Sequence, residues 1–443
     1  MNHTRIAAGL LAGLLLITGC GCGRTPDSAS SASSVPDTHT TATTTTTATT
    51  TAATTAAASV PTHREQVTTL LSAGRVADIY RETWNSIFGR LQANGFFQES
   101  LTGRYRGEYI RSIGAFAVLA VETGETAAAG KALKLVTDTM SRKNLPYLPF
   151  TLTADGTVRQ EDELDGRAHF VLGWAQYIAA AKDSTYFAES YGLMKREADA
   201  FCSDAYFNAA LKLMRNPRLT HTRVRGGSDY HNAYDLLTNS FVLAALEELA
   251  AVADTYGKSA DAVRWRETAA ALRTGLTQNL TRTAGGRTVF RELLYHDGGQ
   301  YTPEDGVSWI CLTPFADRID PDIWENTVAY TRQKLWKTTP KGGYLSVECA
   351  ANGTVRNRIL GKSVGWDLAA AARERDYAHA LESLQFLVEY HTSSLYMEWM
   401  VPSGNGWKLI DCGNGEQAIW FLWGMARLRQ SVGLPAKPSI PGE

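Results

Sequence analysis

The chain has 443 residues, and its 44 Lys and Arg nearly cancel its 45 Asp and Glu, leaving a formal net charge of -1. No basic surplus is available to meet a phosphate backbone, so composition argues against nucleic acid as a partner. The six cysteines form no CxxC pair and no Cys/His cluster of zinc-binding spacing, so neither a metal nor an organic cofactor is implied.

Residues 1–19 read as a secretory signal. Arg5 supplies the positive start, residues 6–17 an apolar stretch too short to span a bilayer, and Thr18-Gly19 lead into Cys20. The ITGC ending has the form of a bacterial lipobox, with Cys20 as the lipidated residue and Cys22 less well placed. That predicts a lipid-anchored protein of the cell envelope, held to the bilayer through Cys20. A plain secretory signal cut elsewhere is the alternative. Residues 20–62 are mostly Thr, Ala, Ser and Pro, with too little apolar surface to offset ordering entropy, and read as a disordered tether.

Residues 63–435 remain as one folded region of about 380 residues, enough for a single large core, with a tail at 436–443. Apolar residues recur there at three- and four-residue spacing over 64–92, 108–124, 166–183, 233–257, 259–280 and 376–391. Gly and Asp-Gly punctuate the joins, and strand-like pieces at 287–296 and 342–347 decorate the longer loops. Several helices, such as the one containing SFVLAALEELAAVA, are apolar around much of their circumference. An inner ring sheathed by an outer one explains that pattern. The expected fold is therefore all-α: an (α/α)6 barrel, a toroid of six helical hairpins with short β decorations. An open α-solenoid is the competitor. Cys202, Cys311, Cys349 and Cys412 are widely spaced, and buried free thiols fit a core of this size better than disulfides.

A toroid gathers its longer loops at one end, where function concentrates. Four such regions carry charge. They are 102–112 with Arg104, Arg106, Glu108 and Arg111; 160–170 with Asp162, Glu163, Asp165 and Arg167; 223–239 with Asp229 and Asp235; and the last sixty residues, with Glu398 and Glu416 in loops rich in Gly and aromatics. Aromatic faces stack on pyranose rings, and a carboxylate pair can activate water and protonate a leaving oxygen. Each residue has a plainer reading too. Asp235 suits a helix cap, Glu416 the acidic first turn of a helix, and Asp229 the start of a turn.

These segments resemble the six-hairpin glycosidases, most nearly trehalases and their glucosidase and mannosylglycerate-hydrolase relatives. GRYRGEY (103–109), GRAH (166–169), GGSDYH (226–231), YDLLTNS (234–240), MEW (397–399) and GNGEQ (413–417) follow that family's motifs in order over most of 100–432. The resemblance implies Asp229 as general acid, Glu398 as general base, and Arg104, Arg167 and Glu416 around the first sugar. Asp235 is a rival acid and otherwise a substrate-binding candidate. Trp366, Trp399 and Trp407 are candidate stacking surfaces. The trehalase tryptophan-aspartate-proline-asparagine signature has no counterpart, which argues against trehalose itself. The implied reaction is inverting hydrolysis of an α-linked oligo- or polysaccharide, with carboxyls roughly 6.5–9.5 Å apart. Two other readings stay open. One is a uronate lyase or sugar epimerase using Tyr230, His231 and Asn232; the other is a glycan-binding lipoprotein without catalysis.

Overall fold

The computed structural model describes residues 60–216, 233–295, 305–349 and 355–439. Twelve α-helices and one long 3-10 helix lie among them, and six of these thirteen close a ring. The ring runs α3 (Ile110–Glu122), α5 (Leu164–Ala181), α7 (Leu236–Thr255), the 3-10 helix (Val307–Arg318), α10 (Gly361–Glu374) and α12 (Gly415–Ser431). Each member packs on the next, and α12 packs back on α3. Outside lie α2 (Arg75–Gly89), α4 (Thr126–Lys143), α6 (Ser184–Phe201), α8 (Ser259–Asn279), α9 (Pro321–Leu335) and α11 (Tyr377–Tyr390), each against inner helices. The expected (α/α)6 toroid is the fold.

Burial explains the composition of the two layers. Two inner helices are covered on every side: α3 is buried continuously from Ile110 to Ala120, and α10 from Gly361 to Ala372. A helix with no solvent face has no use for a polar stripe. The outer helices keep one, as α8 shows with buried Trp265, Thr268, Ala269 and Leu272 on one face.

Glycine permits the closest crossings of the inner ring. A Cβ on Gly424 of α12 would collide with the Gly365 carbonyl of α10, and one on Gly365 with the Trp420 carbonyl. Gly114 and Gly173 do the same for α3 and α5, where a Cβ on Gly173 would lie 2.6 Å from the Gly114 oxygen. Because these obstacles are backbone, no rotamer change relieves them. Gly424→Ala is expected to lower the unfolding free energy by about 3 kcal/mol. A urea-denaturation midpoint equal to wild type would contradict this crossing.

Three details depart from the sequence reading. The helical pattern at 64–92 is broken at Gly74 (φ 76) into α1 (His63–Ser72) and α2. The fourth inner member is a 3-10 helix with Pro314 inside it, where an α-helix would be kinked or broken. Glu416 is not in a loop, whereas Glu398 sits in a bend just ahead of a strand. That strand begins a hairpin, Trp399–Ser403 paired with Gly406–Ile410, and Glu416 lies in the first turn of α12. The strand-like pieces do form strands, Arg287–Phe290, Leu293–Tyr295 and Gly342–Leu345. Cys202 and Cys412 are free thiols.

α1 fixes where the described chain begins. Arg64 reaches the Val432 carbonyl (3.3 Å) and Arg429 of α12 reaches the Leu71 carbonyl, so α1 lies beside the C-terminal end of α12.

Candidate active site

The inner helices run in one direction, and their first turns meet on the ring axis. Residues at or beside these starts are Arg111 on α3, Glu163 and Asp165 on α5, Lys362 on α10 and Glu416 on α12. All are buried, and they touch. Arg111 meets Asp165 (Nε–Oδ2, 3.0 Å), Glu163 and Glu416 (Nη1–Oε2, 3.5 Å), while Lys362 Nζ lies 2.6 Å from Glu416 Oε1. Helix N-termini favour carboxylates because their free N–H groups carry partial positive charge. Burial would raise the Glu416 pKa, but Lys362 and Arg111 overcome it and hold the group at about 2. Asp165 goes the other way: burial raises it more than Arg111 lowers it. The result is a charged floor.

Beneath the floor the axis is plugged by rings. His169 stacks on Phe241 with centroids 3.3 Å apart, and Trp420 meets both rings and Trp366. His169 Nδ1 lies 2.7 Å from the Asp165 carbonyl and therefore carries the ring proton. Burial and then Arg111 push its pKa well below the ordinary value, so it is neutral. Among the described residues, these rings fill the axis on the side away from the charged floor.

Glu398 stands at the open end. Its amide donates to the Ile410 carbonyl (3.0 Å), and its own carbonyl accepts from Gly361 N (2.7 Å), the residue before Lys362. Tyr105 donates its hydroxyl to Oε1 at 2.6 Å, and Arg104 Nε lies 2.9 Å from Oε2. The residue is only 4% exposed. Burial raises its pKa, opposed by Tyr105 and Arg104. The loop carrying those partners is itself tied down. Ser100 Oγ donates to Asp411 Oδ1 (2.6 Å), Thr102 joins the same carboxylate, and Gln98 Nε2 reaches the Tyr105 carbonyl (3.0 Å).

The other residues expected from the sequence divide. Arg104, Glu398 and Glu416 lie at this end of the ring. Asp235 does too, as the fully buried cap of α7: its Oδ1 accepts from Thr238 N (2.8 Å) and its Oδ2 from Asn216 Nδ2 (3.2 Å). Burial lifts its pKa to about 6. Arg167 must be corrected. It lies two residues from both Asp165 and His169, on the opposite side of α5, where its Nε donates to Glu197 Oε2 of α6 (2.7 Å) and its Nη1 to Asp162 (2.8 Å). Tyr147, Phe201 and Tyr206 surround its guanidinium. Trp366 is also corrected: it is 2% exposed, packed on Trp420, and offers no face to a sugar. Trp407 packs edge-on against Tyr344 and Phe386, which anchors the hairpin. Trp399 is buried with Arg358 over its ring. Asp229, with Tyr230, His231 and Asn232, lies outside the described residues, as does Cys20.

Sequence reading named Asp165 only among the charged residues of its loop, and passed over Tyr105 and Lys362. Lys362 had a usable signal: it is the second residue of its inner helix, as Arg111 and Glu416 are of theirs. Among the described residues, no group of His, Cys, Asp and Glu is arranged to hold a metal ion.

No protein-family model matches the sequence, and no curated protein matches it. Solved structures do match the fold. The cellobiose 2-epimerase of Spirochaeta thermophila superposes with a TM-score of 0.60 at 15% identity, over 83% of this chain and 98% of that one. A metal-independent α-mannosidase of Streptococcus pneumoniae, complexed with α-1,6-mannobiose, gives 0.55 at 10% identity over 83% and 97%. A bacterial glucoamylase complexed with acarbose gives 0.54 at 18% identity, over 80% of this chain and 56% of that one. This is a six-hairpin toroid. At such identities the likeness is one of architecture.

Proposed function

We propose that the protein is a glycoside hydrolase that takes the end of a sugar chain into this blind funnel. The observation that carries the reading is Glu398: a carboxylate shielded from bulk water, held by Tyr105 and Arg104, above a buried polar floor. That is the arrangement a general base needs, since a fixed carboxylate can orient and deprotonate one water. The acarbose and mannobiose complexes on the same fold support a saccharide ligand. Asp229 is the proposed acid, with Asp235 the rival. Glu416, Arg111, Lys362 and Asp165 would meet the hydroxyls of the first sugar, and Arg104 would contact it at the rim.

In the reaction, ionised Glu398 takes a proton from water as that water attacks the anomeric carbon. The acid gives its proton to the departing glycosidic oxygen, and the anomeric configuration inverts. The test is proton NMR of the first product formed from a panel of α-linked disaccharides and glucans. Release of the β-anomer is expected; release of the α-anomer would exclude direct attack by water.

The epimerase neighbour favours one second reading, sugar epimerisation in the same funnel. Cellobiose, β-linked and added beside that panel, separates the two: an epimerase converts it to another disaccharide, whereas a hydrolase of α-links leaves it unchanged.

The ITGC ending supports a further part of this reading, anchorage to a bacterial envelope through a lipidated Cys20. Cys20→Ser is expected to move the protein from the membrane pellet to the soluble fraction; continued pelleting would exclude this anchor.

A further inference from the structure

Glu99 has no place in the chemistry above, yet it joins three parts of the funnel. Its amide donates to the Gly107 carbonyl (2.9 Å), which fixes the turn before α3. Its carbonyl accepts from Gly415 N at 2.7 Å, and its Oε1 accepts from Glu416 N at 3.0 Å, so it caps the first turn of α12. Ser112 of α3 lies close enough to the same side chain to lower its pKa. The fit is tight, because a Cβ on Gly415 would lie 2.7 Å from Glu99 Oε2 and 2.8 Å from the Phe97 ring. The residue is 4% exposed, and Oε2 has no hydrogen-bond partner among the described residues.

We infer that Glu99 is a positioning residue of the funnel: by capping α12 and bridging to α3, it fixes Glu416 against Lys362 and Arg111. This rests on the hydrolase reading only where turnover is concerned, because the placement of Glu416 can be read without a substrate. The seam it spans is where the first and last inner helices meet, the one place where the ring closes without a direct chain connection.

The two carboxyls respond oppositely to their surroundings. Glu416 stays ionised far into acid, whereas burial, opposed by the Glu416 amide and Ser112, lifts Glu99 to about 7. The charged and titratable groups around Glu99 are Arg90 beyond α2, Tyr109 and Arg111 at the start of α3, and Glu416 on α12. Near neutral pH, losing the Glu99 proton places a second negative charge beside Glu416, where both compete for Arg111. The floor should loosen as pH rises through 7.

The test uses the full chain with Glu99→Gln and Glu99→Ala. Carbon-detected NMR of the Glu416 carboxyl comes first, between pH 3 and 6, where Glu99 is largely protonated and exerts little charge effect. Wild type should stay ionised throughout, and Glu99→Ala should begin to protonate, a rise of at least one pH unit in midpoint. An unchanged Glu416 titration would overturn the inference, whether or not any sugar is cleaved. On a cleaved substrate, Glu99→Ala should raise KM at least tenfold with a smaller change in kcat. Glu99→Gln keeps an acceptor and cannot ionise, so the basic limb of kcat/KM should lose its Glu99 component and move to the limb set by the general acid alone. A basic limb identical to wild type in Glu99→Gln would also overturn it, and this variant serves if the alanine form does not fold. Absence of turnover in wild type, with Glu416 displaced as expected, would sink the hydrolase reading and leave the positioning role standing.

Discussion

Glu398→Gln is expected to lower kcat by a factor of roughly 10² to 10⁴ while leaving the fold intact. The substitution preserves volume and keeps an oxygen to accept from Tyr105, so the hairpin and its ties to Ile410 and Gly361 should survive. What is lost is the ability to take a proton from water. Arg104 is half exposed and can turn to solvent once its carboxylate partner is gone. Thermal unfolding within a few degrees of wild type, together with lost turnover, would assign the base. Turnover within a factor of three of wild type would remove Glu398 from the chemistry. The Tyr105 contact adds a pH signature. Its hydroxyl stabilises the charged carboxylate, so Tyr105→Phe should raise the Glu398 pKa further and move the acid limb of kcat/KM to higher pH. A limb that stays in place would show that Tyr105 does not act through Glu398.

Arg111→Met should be among the most damaging single changes to stability. Its guanidinium is shared by Glu163, Asp165 and Glu416, all buried, and methionine would remove that shared cation while Lys362 stays on Glu416. Breaking a buried pair from one side costs about 3–5 kcal/mol, because the remaining charge has no partner and no solvent. The cost should depend on pH in a definite direction. Removing the cation raises the pKa values of the carboxylates it served, so they take up protons as pH falls and their burial becomes cheaper. The variant's deficit against wild type should therefore be smaller at pH 4 than at pH 8 in urea unfolding. A deficit below about 1 kcal/mol at both values would mean that solvent reaches the floor.

Local signals carried the helices well. The stretch read at 259–280 is α8 at Ser259–Asn279, and that at 376–391 is α11 at Tyr377–Tyr390, because spacing and end residues are properties of neighbours in sequence. The grouping of charged loops at one end was also legible, since hairpins alternate their connections. Which side of a helix a residue faces was not, and Arg167 shows why. The motif around it drew attention, but only the start of α5 at Leu164 fixes that Asp165 and His169 share the axial side and Arg167 the other. Lys362 and Glu416 meet across 54 positions and Tyr105 and Glu398 across 293. Contacts of that span are set by ring closure, which no local pattern encodes.

The lodging of α1 against the C-terminal end of α12 has a mechanical consequence. Tension applied to the chain ahead of residue 60 is delivered first to the Arg64–Val432 and Arg429–Leu71 contacts. Those lie at the far end of α12 from Glu416, so a pull would peel α1 from the toroid before it strained the funnel.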